Sequence, residues 1–222
     1  GVLTKGGSGT VTLSGSNSYY GGTMITGGTL VLAASNALAS GSSLLVSNGA
    51  LNAGAYNLNF GSGGVTLASG TISGSGTLNA TRYSLGNGAI SNSLAGPGSL
   101  TVSNGVVVLG GNNSYTGGTT VGNGTLTASS VGSGPLTLSN AVYINTAASL
   151  LSLLSLNFNG NSTLSLSAPM STTRITFGGV YLVVITNTVT NGANITTNYI
   201  TSYAGGTNNL LDYSGAIATK GT

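Results

Sequence analysis

Charge is what this 222-residue chain has least of. Lys5, Arg82, Arg174 and Lys220 stand against a single carboxylate, Asp212, so charged residues make up 2 % of the sequence, where about a quarter is usual. Histidine, cysteine and tryptophan are absent, and no glutamate accompanies the lone aspartate. Each absence removes a class of function. Without a basic patch there is nothing to hold the phosphates of a nucleic acid. Without cysteine there is neither a disulfide framework nor a thiolate metal site. A carbohydrate hydrolase or lyase needs paired carboxylates, or an acidic metal site with a basic partner, and one aspartate cannot supply them. Without histidine or cysteine, no side chain shuttles protons near neutral pH or activates a serine. The expectation is a non-enzyme with no cofactor and no metal.

Long apolar runs are missing too. A spanning helix needs about 20 mostly apolar residues. The best stretch, 147–158, is short and broken by serines. Three phenylalanines and scattered tyrosines cannot form the aromatic girdles of a membrane barrel. No membrane insertion is expected. The 39 glycines follow no three-residue period, which excludes collagen. Disorder is disfavoured by a 40 % hydrophobic fraction, most of it Leu, Val and Ile set in alternation with polar residues.

What the chain does have is repetition. Residues 13–30, Leu-Ser-Gly-Ser-Asn-Ser-Tyr-Tyr-Gly-Gly-Thr-Met-Ile-Thr-Gly-Gly-Thr-Leu, return 96 residues later at 109–126 with eleven of 18 positions identical and no gap. The shared core is Asn17, Tyr19, Gly21, Gly22 and Thr23 in the first copy and Asn113, Tyr115, Gly117, Gly118 and Thr119 in the second. A shorter unit recurs between and beyond them: a Gly-x-Gly step that opens an apolar–polar–apolar run, at 7–13, 61–67, 74–80, 96–102 and 132–138. Glycine permits the tight turn, and the alternation after it reads as a short, half-buried strand. Several such strands close on Ser-Asn, at 47–48, 103–104 and 139–140, where asparagine tolerates the left-handed region.

Turns that repeat in kind, with Ser/Asn/Gly recurring beside Leu/Val, point to stacked coils rather than a sandwich. The fold class expected is all-β without helices: a right-handed parallel β-helix, or β-solenoid, of roughly ten coils at about 20–24 residues each. Val11, Leu13, Leu30, Val102, Leu109 and Leu126 are expected to point inward. Residues 1–140 read as regular solenoid carrying both repeat copies. Residues 141–222 read as its continuation, with looser coils and Asn/Thr-rich loops.

The run Gly1-Val2-Leu3-Thr4-Lys5-Gly6-Gly7-Ser8-Gly9-Thr10-Val11-Thr12-Leu13-Ser14-Gly15, followed by Asn17-Ser18-Tyr19, resembles the autotransporter-associated β-strand repeat, also called the passenger-associated transport repeat. The second copy, within 96–125, lacks the Leu-Thr-Lys lead and has Gly110 in place of serine. The resemblance implies a secreted or surface-displayed bacterial β-helix and brings no catalytic residues with it.

The glycine-rich segments lack the Gly-Lys-Ser/Thr of a phosphate loop and are turns. Tyr19, Tyr20 and Tyr115 could stack a sugar, but at a fixed repeat position they read first as an aromatic ladder or core anchors. A Thr-x-Thr step at every coil, as an ice-binding face would require, is absent.

With neither initiator Met nor signal peptide at Gly1, the chain is expected to be a processed or excised piece, and both ends resemble the interior of an array. Uncapped coils expose unpaired edges that invite association. Gly1, Val2, Leu3 and Lys5 at one end, with Asp212, Tyr213, Ile217, Lys220 and Thr222 at the other, are the candidate seam between subunits. The expected partners are copies of the same chain, end to end, with host or cell-surface glycans as a further candidate. The expected function is a structural extracellular filament; the alternative is an excerpt of an autotransporter adhesin stalk.

Overall fold

The computed structural model describes residues 1–147, 151–167, 170–172, 175–178, 182–185 and 198–201, with side chains in the first two spans. Every described strand pair but one is parallel, and among the described residues there is no helix. The chain is a parallel β-solenoid.

One ladder is formed by Leu3–Lys5, Thr23–Ile25, the start of Leu44–Gly54, the start of Val65–Gly74, Arg82–Leu85, Ser99–Ser103, Thr119–Gly122, Leu136–Ser139, Leu156–Asn159 and Ile175–Gly178. Among the described residues a second ladder runs from Thr10–Leu13 to Thr163–Leu166, with nine rungs and therefore about eight turns. A third face is partly stranded, through Leu58–Gly61, Thr77–Ala80 and Ser93–Ala95. At about 4.8 Å per turn, eight turns make a rod of roughly 40 Å.

The roughly ten coils expected are thus slightly too many. Most coils are shorter than assumed: register offsets run from 16 residues, Thr77 to Ser93, to 22 at the irregular pair Ser47 to Ser69. Among the described residues the paired parallel rungs end at Gly178, and Leu182–Ile185 pairs with Asn198–Thr201 in antiparallel fashion.

Alternation with period two sends one set of side chains into the bore. In register from the second coil upward, Ile25, Val46, Leu67, Leu85, Val102, Val121, Leu138 and Phe158 form one buried row. All belong to a single hydrophobic core. On the other side of the same strands Thr101, Thr120 and Thr137 fall in register facing outward.

Of the six positions expected to point inward, Leu30, Val102, Leu109 and Leu126 are buried, and Leu13 is partly buried and packed on the core. Val11 departs from the expectation. It lies in register with buried Leu30 but is 44 % exposed, because among the described residues the first coil has a neighbour on one side only.

The corner between the two ladders explains the Ser-Asn signals. Asn48, Asn104, Asn123 and Asn140 sit there with φ of 63°, 55°, 50° and 49°. These left-handed values are tolerated by asparagine better than by other non-glycine residues.

Candidate functional site

The repeat core builds the loop that carries the chain from the second ladder back to the first. In both copies the tyrosine hydroxyl meets a threonine hydroxyl four residues on, Tyr19 to Thr23 and Tyr115 to Thr119, each at 2.6 Å. This clamp closes the loop on the first residue of the next strand. The two glycines between its jaws have different reasons to be there. A Cβ on Gly21 would lie 2.7 Å from Gly1 O, and one on Gly117 2.7 Å from Pro97 O, both backbone of the preceding coil. Gly22 and Gly118 adopt φ of +92° and +86° against the following coil, where Ser43 and Pro135 stand. The pair is therefore pressed between two coils, and neither glycine has room for a side chain.

The asparagine extends the same logic. Asn113 Oδ1 accepts from Leu94 N of the preceding coil at 3.0 Å, while its Nδ2 donates to Ser130 O of the following coil at 2.8 Å. One amide thus staples three coils. Asn17 makes the forward half only, Nδ2 to Ala37 O at 2.8 Å, with a local bond to Gly15 O. Among the described residues no coil lies on its other side.

At the candidate seam the structure places Gly1, Val2, Leu3 and Lys5 on the outermost coil. Gly1 O accepts from Gly21 N at 2.9 Å and Leu3 N donates to Gly22 O at 3.0 Å. Val2 is 56 % exposed and Leu3 packs partly on the core. Asp212, Tyr213, Ile217, Lys220 and Thr222 lie outside the described residues.

Lys5 is the unexpected member. By register it occupies the same inward row as Ile25 and Val46, and it is 5 % exposed. Its ammonium donates to Gly6 O, Gly7 O and Gly27 O at 2.8, 3.0 and 2.9 Å, which uses all three N–H groups. An ion pair with Asp212 would have to displace one of them. The corner beside it holds four residues, Gly6 to Gly9, where the second copy needs only Ser103, Asn104 and Gly105. Lys5 fills the wider corner with a polar head and covers the bore with its stem. Alternation with Leu3 was the sequence signal for this placement.

Three tyrosines are fully buried. Tyr83 and Tyr115 pack with ring centroids 5.9 Å apart at 47°. Tyr83 shares its hydroxyl proton between Leu78 O and Ala95 O at 2.7 and 2.6 Å. Asn145 Nδ2 donates to the Tyr143 hydroxyl at 3.1 Å. Burial pushes Tyr83 and Tyr143 up to about 12, and Tyr115 further. Tyr115 is therefore a core anchor and cannot stack a sugar; Tyr19 is half-buried, and Tyr20 is 93 % exposed. The two repeat tyrosines form no ladder with each other, being five coils apart. Period-two alternation at Arg82–Leu85 and Val142–Asn145 marks Tyr83 and Tyr143 as inward, a signal that the repeat core overshadows.

Among the described residues there is no group of three or more His, Cys, Asp or Glu that could hold a metal, and no helix long and apolar enough to cross a membrane. Parallel ladders, a continuous bore and loops that staple neighbouring coils define a β-solenoid repeat protein. The passenger-associated-transport-repeat family model matches residues 3–32 and 93–128, the two segments that hold the tyrosine–threonine clamps. Repeat and fold together fit the passenger of an autotransporter. No match was found among curated proteins or among solved structures.

Proposed function

We propose that this chain is a non-catalytic structural rod: a stalk segment of a secreted or surface-displayed bacterial passenger. The observation that carries the reading is the stapling loop. Asn113, Gly117 and Gly118 bind one coil to the coils before and after it, so the repeat enforces axial stacking. Rigidity and reach are what such a device supplies.

A second reading, head-to-tail assembly into a fibre, draws on the first coil. Asn17 Oδ1, exposed Val2 and half-exposed Val11 are the groups that a preceding coil covers elsewhere in the rod. That coil can come from the same polypeptide, as in a stalk, or from a second copy.

Sedimentation and negative-stain microscopy of the 222-residue chain separate the two. Discrete rods of roughly 40 Å at every concentration support the stalk, whereas growth of long fibres supports stacking. Fibres held by ladder bonds and apolar rows should survive about 1 M salt, where the screening length is about 3 Å. Turnover of a polysaccharide by the purified chain, lost in Asp212→Asn, would overturn the structural reading in both forms.

A further inference from the structure

The third face of the first three coils holds a cleft of about 250 Å³ between the long loop after Leu32 and the strand Leu58–Gly61. Its polar lining comes from successive coils: Asn17, then Ser35, Asn36 and Ser40, then Asn57 and Asn59. Three of these amides are oriented by the backbone. Asn17 donates its Nδ2 to Ala37 O, while Asn57 and Asn59 accept from Thr77 N and Gly61 N at 2.9 and 3.1 Å. A backbone partner decides which end of an amide is which. The ends left over are therefore an acceptor on Asn17 and donors on Asn57 and Asn59. Among the described residues the side chains of Asn36, Ser35 and Ser40 have no hydrogen-bond partner. Leu38 and Phe60 supply apolar wall between the polar groups.

Oriented donors and acceptors around a small apolar surface, in a concave site, are the makings of a ligand pocket. No lysine, arginine or aspartate lines it, so an anionic or cationic ligand would enter uncompensated. A neutral polyhydroxyl ligand fits, because each hydroxyl both donates and accepts. The spacing agrees: successive coils are about 4.8 Å apart, comparable with the length of one pyranose ring. We propose that this cleft binds a short stretch of neutral polysaccharide laid along the solenoid axis, with Asn17, Asn36 and Asn57 each addressing a successive sugar. The site stands whether the rod is a stalk or a fibre, since assembly and sugar binding are read by different measurements.

The test uses the full chain with cellobiose, chitobiose, maltose and lactose as probes, and digalacturonate as the acidic counterpart, read by saturation-transfer NMR and calorimetry. At least one neutral disaccharide should bind. Asn36→Ala, which breaks no protein hydrogen bond, should weaken it about threefold to tenfold, the loss of one hydrogen-bonding group. Ser40→Trp should abolish binding by filling the cleft, and Thr101→Ala, on the outward side of the first ladder and outside the cleft lining, should leave it unchanged. Circular dichroism should be the same for all three variants. The proposal is overturned if no neutral probe binds at about 10 mM, if binding ignores both cleft variants, or if digalacturonate binds more tightly than the neutral sugars.

Discussion

The two copies of the repeat share eleven of 18 residues and the same 2.6 Å Tyr–Thr clamp, yet they sit in different surroundings. Tyr115 is fully buried and Tyr19 half-buried; Asn113 joins three coils and Asn17 two; Val107 is enclosed and Val11, its counterpart, is 44 % exposed. What differs is the coil beneath. The motif itself dictates the loop: positive φ at the second glycine, close approach at the first, a hydroxyl pair across the gap. Burial is conferred by neighbours, as expected when each unit of a solenoid rests only on the units beside it.

The largest effect that should expose this difference is truncation of the clamp tyrosine. Tyr115→Ala opens a cavity in a closed bore beside Tyr83 and should cost about 3–5 kcal/mol. Tyr19→Ala removes a half-exposed ring from an end coil and should cost about 1 kcal/mol. Urea denaturation followed by circular dichroism measures both. Equal costs would mean that the loop, and not the stack, holds the stability.

Alkaline pH reaches the second copy and its neighbours through the same burial. Tyr83, Tyr115 and Tyr143 are held neutral by desolvation, the first and third up to about 12, against about 10 in an unfolded chain. A folded value above the unfolded one means that stability is complete below pH 10 and drains as pH rises through about 12. Absorbance at 295 nm should show these three rings ionising together with loss of the circular-dichroism signal. Ionisation of all ten tyrosines in a chain that stays folded would contradict the buried cluster.

Much of this was legible beforehand, and the residues show why. Ser-Asn turns and Gly-x-Gly steps are local: φ of 49–63° at four asparagines follows from which residues tolerate that region. Inward rows follow from period two. The coil count was not legible, because coil length varies with corner loops of two to four residues between the ladders, and no local rule sets that. The cleft was invisible for a related reason. Its amides lie about 20 residues apart in sequence and meet only through the stacking register. Lys5 lay between these cases: alternation put it inside, while its charge argued for outside.

Lys5 also offers a way to sharpen the comparison. Lys5→Val gives the first coil the residue that Val102 provides in the second copy, but it leaves Gly6 O, Gly7 O and Gly27 O without their shared donor. The expected cost is about 1–2 kcal/mol, seen as faster amide exchange confined to residues 3–32. Deleting Ser8 as well shortens the corner to the three residues of Ser103–Gly105 and should recover most of the loss. If the single variant is neutral, the ammonium cage contributes nothing to the first coil.

The smallest and most specific contrast lies in the clamp hydroxyls. Thr119→Val and Thr23→Val each replace a hydroxyl by a methyl of similar size, at positions equally buried, 3 % exposed in both. The consequence falls on the tyrosine. Tyr115 sits in a dry bore with the backbone of Gly132 also against its oxygen, so the proton it shared with Thr119 has no replacement partner. A buried donor left unpaired costs about 1–3 kcal/mol. Tyr19 can turn its hydroxyl to water, and Thr23→Val should cost about 0.5 kcal/mol or less. Tyr115→Phe combined with Thr119→Val removes both partners, and the pair should then be less destabilised than Thr119→Val alone, since an apolar pair leaves nothing unsatisfied. Simple addition of the two single costs would show that the 2.6 Å hydroxyl pair is a contact without energetic coupling, and the difference between the copies would then rest on packing alone.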